Sequence, residues 1–238
     1  MIVSAVQLRS SKDIESNIQK AVNIIKLAKS DLIIFPELFN TGYYQENYER
    51  SNVSPILKAS ERSKAVIVAG MAEIEGNDIY NTAFVIHKGR VIGKHRKTKL
   101  FPLTHEIEVF KAGNEIEVIE TPICKLGIVI CYELRFPEIT RKLVRQGAKI
   151  IAVPAVFPKE RIDHWKVLLR ARAIENQVYV VGANCVGEFC GGNSMIIDPF
   201  GRVLAEAGFD EGIISAEIDL SFVDEVRRKF PFLDFKSQ

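Results

Sequence analysis

Asp31-Leu-Ile-Ile-Phe-Pro-Glu-Leu-Phe39 and Lys149-Ile-Ile-Ala-Val-Pro-Ala-Val-Phe157 decide how this chain folds. Each is a short apolar run that closes on a proline, with a phenylalanine three residues later. Two further pairs of segments repeat in the same order. Ala65-Val-Ile-Val-Ala-Gly70 matches Val178-Tyr-Val-Val-Gly-Ala183. Asn81-Thr-Ala-Phe-Val-Ile-His-Lys-Gly-Arg-Val-Ile92 matches Asn193-Ser-Met-Ile-Ile-Asp-Pro-Phe-Gly-Arg-Val-Leu204, with Asn, Gly, Arg and Val coincident. One such match is chance; three in register order mark an internal duplication.

Working outward, residues 2–8, 32–35, 65–71, 82–87, 127–131, 150–154, 178–183 and 194–198 read as strands. They are short and rich in Val and Ile, and several are apolar throughout, as in a sheet covered on both faces. Helices lie between them. Ile14, Ile18, Ala21 and Ile25 recur at helical spacing behind a Ser10-x-x-Asp13 start signal. Pro137 suits the first turn of a helix running to Gly147, and Trp165, Leu169 and Arg172 continue one that ends near Asn176. Each half is therefore strand-helix-strand-helix followed by further strands. Two such halves pack sheet to sheet with helices outside: an α/β fold of four layers, α-β-β-α, with an internal pseudo-two-fold duplication. No linker divides residues 1–238, so a single domain is expected.

Composition narrows the function classes. Hydrophobic residues are 47% and charged residues 26%, an ordinary balance for a globular chain. The net charge of +2 gives no ground for a nucleic-acid partner, although Lys94 to Lys99 form a basic run. Cys124, Cys131, Cys185 and Cys190 form no C-x-x-C pair, and the four histidines lack zinc-ligand spacing. Free thiols, no disulfide, no metal, no cofactor and a cytoplasmic location are the expectations. There is no signal-peptide pattern and no apolar run long enough for a membrane span.

Three reactive groups fall at or just beyond strand ends. Glu37 follows the strand 32–35 across Pro36, and its equivalent in the second half is Ala155. A carboxylate that the repeat replaces with alanine is not needed by the architecture. Cys131 ends the strand 127–131 ahead of the Pro137 helix, where free backbone N–H groups favour a thiolate. The alternative for any free cysteine is a small core residue, which is the expectation for Cys124, Cys185 and Cys190. Lys97 lies in the basic run; it is either one charge of a solvated loop or a cation turned inward for acyl transfer. Base, nucleophile and cation together form a set for acyl transfer. A Cys-His hydrolase using His164 or His105, and a catalytically silent binding or scaffold protein, are the alternatives.

Phe35-Pro-Glu-Leu-Phe39, Arg96-Lys-Thr-Lys-Leu-Phe101 and Ile130-Cys-Tyr-Glu-Leu-Arg-Phe-Pro-Glu138 resemble the three signature blocks of the nitrilase superfamily of carbon–nitrogen hydrolases. The likeness continues through Ala171-Arg-Ala-Ile-Glu-Asn176 and Asp198-Pro-Phe-Gly201. It implies a Glu37, Lys97, Cys131 triad, with Glu106, ahead of Phe110-Lys-Ala-Gly113, as a second glutamate. It implies the α-β-β-α sandwich, a homodimer or higher homo-oligomer, and a thioester intermediate. Lys99 stands where His is common, Glu133 where Asp is commoner, and the tail Phe235-Lys-Ser-Gln238 looks shorter than in many members. Cys-Tyr-Glu-Leu-Arg is similar to the amidase branches, so a small linear amide such as an omega-amide or deaminated glutathione is expected. A nitrile or N-carbamoyl substrate is the alternative. The Tyr132 backbone N–H is expected to assist the oxyanion. Arg135 and Phe136 are expected at the substrate, with a salt bridge to Glu138 or another acid as the competing role for Arg135.

Overall fold

A computed structural model describes residues 1–233; the tail quoted above lies outside the described residues. In chain order the first half holds β1 (Ile2–Gln7), α1 (Ile14–Leu27), β2 (Leu32–Ile34), α2 (Ser54–Ser60), β3 (Val66–Glu75), β4 (Asp78–His87), β5 (Arg90–Arg96) and the one-turn α3 (Glu106–Val109). The second holds β6 (Ile119–Glu120), β7 (Lys125–Ile128), α4 (Pro137–Arg145), β8 (Ile150–Ala155), α5 (Ile162–Asn176), β9 (Tyr179–Asn184), β10 (Met195–Ile197) and β11 (Val203–Glu206). Then come β12 (Gly212–Glu217) and α6 (Ser221–Lys229).

The strands form two six-stranded sheets, in the orders β12-β1-β2-β3-β4-β5 and β11-β10-β9-β8-β7-β6. β1, β2 and β3 are parallel, as are β7, β8 and β9, and every other pairing is antiparallel. β1 to β5 thus repeat as β7 to β11, and β12 takes in one sheet the edge that β6 takes in the other. The duplication expected from the three repeated blocks is present strand for strand.

Alternation along the strands sorts the layers. Ala5, Ile34 and Val68 meet Ile128, Ala152 and Val181 in the core between the sheets. The intervening residues point outward: Ile33 and Ile67 pack on Ala21 and Ile25 of α1 and Ile56 of α2. Ile151 and Val180 pack on Leu143 of α4 and Trp165 and Leu169 of α5. Each fully buried aliphatic side chain of this kind stabilises by about 1.5–3 kcal/mol. α1 starts at Asp13, whose carboxylate accepts the Ser16 N–H at 3.1 Å, a cap worth about 1 kcal/mol.

Several elements have no counterpart in the sequence expectation. β5 reads Arg-Val-Ile-Gly-Lys-His-Arg and looks like a basic loop, yet it pairs with β4 from Arg90 to Arg96. β11 and β12 are largely exposed, so neither shows an apolar run. α2 spans two turns, too short for a clear periodicity. The cysteine expectation is corrected outright: Cys185 and Cys190 form a disulfide, with Cα atoms 5.5 Å apart, while Cys124 and Cys131 are free thiols. The cause is a tight reversal after β9, in which Val186 bridges antiparallel to Gly191 and folds the two cysteines onto each other.

Candidate active site

Loops from both halves meet at the C-terminal ends of the parallel strands and enclose a cavity of about 610 Å³. Ligand sites in open α/β sheets form at this end, where strands stop and loops diverge. Arg9 follows β1, Glu37 and Tyr43 follow β2, Cys131 follows β7, Val156 follows β8 and Cys185 follows β9.

Glu37 leaves β2 by a turn that only a glycine opposite allows. A Cβ on Gly70 of β3 would stand 2.6 Å from the Glu37 Cα and closer still to the Pro36 carbonyl. Leu38 takes a left-handed φ of 48°, an uncommon conformation for a bulky side chain. The turn is held by hydrogen bonds from Phe39 N–H to the Gly70 carbonyl (3.0 Å) and from Gly42 N–H to the Leu38 carbonyl (2.8 Å). The Glu37 carboxylate is buried and fully engaged. Oε1 accepts from Lys97 Nζ (2.8 Å) and Asn81 Nδ2 (2.7 Å), and Oε2 accepts the Val156 backbone N–H (2.8 Å).

Lys97 follows β5, and alternation explains why it turns inward. His95 and Lys97 are buried, whereas Lys94 and Arg96 lie on the other face and pair with Glu73. Lys97 Nζ donates to Glu37 and also to Glu106 Oε1, both at 2.8 Å. Burial disfavours the ammonium, but the two carboxylates outweigh it and raise the Lys97 pKa well above the ordinary lysine range. Glu106 is fixed in turn by Tyr43 Oη (3.0 Å) and the Phe101 N–H (2.8 Å).

Cys131 opens a 3-10 turn, Cys131–Arg135, with φ of 45°. Its thiol donates to the Val156 carbonyl at 3.6 Å, so one residue, Val156, touches Glu37 through its N–H and Cys131 through its C=O. The expected thiolate is not the resting form. Burial of the sulfur and the nearby Glu37 carboxylate push the thiol well above its ordinary range, and Lys97 only partly offsets them. The turn is anchored by buried Glu133, which accepts from the Ile130 N–H (2.7 Å), the Thr98 N–H (2.7 Å) and His95 Nε2 (2.9 Å). Burial opposes the charge on Glu133, but His95 and these hydrogen bonds hold its pKa below the usual carboxylate range. Glu133 thereby ties the Cys131 turn to the Lys97 segment.

Of the other expected residues, Tyr132 and Arg135 line the cavity. Arg135 makes no ion pair among the described residues; its guanidinium lies 5.6 Å from the Phe157 ring and 3.3 Å from His164 Nδ1, so the salt-bridge role is not its role. Phe136 is not among the residues that line the cavity; it meets Tyr132 edge to face at 5.2 Å. His105 is bound to the Tyr48 hydroxyl at 2.9 Å and His164 to Arg135, and neither lines the cavity. Sequence reading missed Asn81, Tyr43, Val156 and the disulfide loop. Asn81 alone left a signal, because it heads the repeated Asn…Gly-Arg-Val block.

A buried Glu–Lys–Glu cluster beside a thiol at a loop-built cavity is the layout of an acyl-transfer enzyme, and the chain belongs to the carbon–nitrogen hydrolase family, whose sequence profile matches residues 2–228. It is a carbon–nitrogen hydrolase, an amidase by class. It is 42% identical to a 2-oxoglutaramate amidase of Bacillus subtilis, over 92% of this chain and 90% of that one. An omega-amidase of Xenopus laevis is 32% identical over 96% of this chain and 92% of its own. Among solved structures, Saccharomyces cerevisiae Nit3, a member of branch 10 of the nitrilase superfamily, superposes with a TM-score of 0.89 at 31% identity, covering 97% of this chain and 94% of that one. No helix among the described residues is long and apolar enough to cross a membrane.

Proposed function

We propose that this chain hydrolyses the terminal amide of a small carboxylate-bearing substrate, an omega-amide, through a Cys131 thioester. The observation that carries the reading is the shared contact of Val156 with Glu37 and Cys131, beside a lysine locked between two carboxylates. The names of the Bacillus and Xenopus relatives support an omega-amide of a dicarboxylic acid.

The resting thiol is neutral, so attack needs a base. Glu37 takes the Cys131 proton as sulfur adds to the amide carbon. Negative charge on the carbonyl oxygen is met by Lys97 and by the Tyr132 N–H at the start of the 3-10 turn, where N–H groups have no partner within the turn. Glu37 then hands the proton to the leaving nitrogen, and ammonia departs as the thioester forms. Water, deprotonated by Glu37, adds to the thioester; the second tetrahedral intermediate collapses, and the sulfur leaves and regains its proton. Glu106 keeps Lys97 charged and aimed. A nitrile or N-carbamoyl group would use the same residues.

The chain works as one domain, and we infer a homodimer. The outward side of α5 carries exposed Val167 and Ile174, and Ile174 packs at Gly201 beside half-exposed Phe200, an apolar patch suited to a second copy. Cys131 has to stay a free thiol for this chemistry, whereas the Cys185–Cys190 disulfide removes the all-thiol ground on which a cytoplasmic location was expected.

The test pairs wild type with Cys131→Ala on a panel of amides and nitriles, following ammonia and intact protein mass. The reading expects amide turnover and a transient acyl adduct in wild type alone. Turnover that survives Cys131→Ala would refute it.

A further inference from the structure

The cavity separates its charges. Its buried lining residues include the carboxylates Glu37 and Glu106, while its more exposed ones include Arg9, the half-buried Arg135 and Arg161, and exposed Glu188. The three arginines differ in what already occupies them. Arg9 is exposed, its backbone N–H binds Glu211 at 2.8 Å, and its charge helps hold that carboxyl below the usual range. Arg135 leans on His164. Arg161 makes no ion pair and no side-chain hydrogen bond among the described residues. Its guanidinium lies 5.4 Å from the Phe101 ring, which lies 5.0 Å from the ring of Tyr132, the residue next to the nucleophile.

That ladder fixes Arg161 in place. Phe101 is held at its N–H by Glu106, and Tyr132 is buttressed by Phe136. The backbone beneath Arg161 is pinned as well. Its own N–H binds the Pro158 carbonyl (3.2 Å), Pro158 bridges to Cys190, and the Lys159 N–H binds the Phe189 carbonyl (2.9 Å). The disulfide-closed loop and the Arg161 turn therefore form one wall. A guanidinium within cation–π range of an aromatic ring, with no ion pair or hydrogen bond of its own, keeps its planar fork of N–H donors for an anion.

We infer that Arg161 is the specificity-determining residue for the anionic end of the substrate, receiving a carboxylate at the more exposed part of the cavity while the amide lies at Cys131. This rests on the omega-amide reading above. A substrate with an uncharged end leaves the fork unpaired, and a charged hydrogen-bonded contact of this kind discriminates about 10–100-fold.

The experiment compares succinamic acid with its methyl ester by ammonia release, for wild type, Arg161→Gln and Arg161→Lys. The expected result is that wild type prefers the acid. Arg161→Gln lowers the acid-to-ester ratio of kcat/KM about 10–100-fold, chiefly through KM for the acid. Arg161→Lys restores part of the ratio, and the rise of that KM with added salt weakens in Arg161→Gln. A wild-type ratio retained by Arg161→Gln would overturn the inference and leave the omega-amide reading standing. No wild-type preference for the acid, with a Cys131 acyl adduct still forming from the ester, would overturn that reading and this inference together.

Discussion

After β2 the chain reads Pro36-Glu37-Leu38, and in the matching stretch at the end of β8 it reads Pro154-Ala155-Val156. One copy puts a carboxylate into the cavity; the other puts a methyl group into the core beside α5. The second copy is still not idle, because its Val156 N–H binds the first copy's carboxylate. A similar inversion holds at β1 and β7. Val3 pairs with Leu32 and Leu126 with Ile150, so the residue matching Cys131 is Leu8, which is buried. Duplication supplied two equivalent sets of strand ends at one rim. The side chains at the site are divided between them: Glu37 and Lys97, the proposed base and cation, belong to one set, and Cys131, the proposed nucleophile, and the disulfide loop belong to the other.

The largest expected effect breaks that division directly. Glu37→Gln keeps the shape of the side chain but loses the base, and kcat falls about 10²–10⁴-fold in steady-state ammonia release. Ala155→Glu, which makes the second copy look like the first, restores nothing in that background. It also buries an unpaired carboxylate, at a cost of about 3 kcal/mol or more in denaturant unfolding. Recovery of activity in the double variant would show the two strand ends to be interchangeable.

Lys97→Met comes next. Loss of the cation at the oxyanion lowers kcat about 10²–10³-fold, and KM measured on the folded fraction changes much less. A variant in which only KM rises would assign Lys97 to substrate binding.

Glu133→Gln sharpens the comparison by loosening the tie between the halves. Near neutral pH it costs about 2–4 kcal/mol, since the Ile130 and Thr98 N–H groups lose a charged acceptor. The pH dependence follows from the depressed folded-state pKa. The contribution is complete above the ordinary carboxylate value of about 4.5 and is lost as pH falls through the lower folded value. The gap in Tm between wild type and variant therefore narrows in acid, and a gap independent of pH down to acid unfolding would contradict this.

The smallest effect belongs to the disulfide. Cys185→Ser, best made with Cys190→Ser to avoid a stray thiol, opens a loop closed over a separation of five residues. Stability falls by about 2 kcal/mol, the low end for cross-links because the loop is short. Intact mass with and without alkylation, together with a thermal scan, reads both the bond and its worth.

Much of this was legible because repetition and alternation are properties of sequence. The parallel strands, the helices α1, α4 and α5, and the strand-end positions of Glu37 and Cys131 could be read from the sequence pattern, whereas Lys97 was left between a solvated loop and an inward cation until the resemblance singled it out, and Glu106 came from the resemblance alone. What was hidden depends on partners far away in the chain. β12 carries little apolar signal because it is a half-exposed edge strand whose place is set by pairing with β1. The Cys131 thiol was expected to ionise from its neighbourhood in sequence, but Glu37 and burial in three dimensions reverse the sign. The Cys185–Cys190 bond arises from a reversal that no spacing rule announces.

The strand β12 has a consequence for how the protein is made. The second sheet is built from a continuous stretch, β6 to β11, whereas the first is closed only by β12, with Ser4 and Ser215 hydrogen-bonded across the joint at 2.7 Å. On the ribosome β1 to β5 emerge first and wait for residues 212–217, roughly 6–24 s later at ordinary elongation speeds of about 5–20 residues per second. During that interval the backbone of β1 is an open edge, and every nascent chain on the same message presents the same one. Crowded polysomes are thus the place where this enzyme is most exposed to mispairing with its own copies.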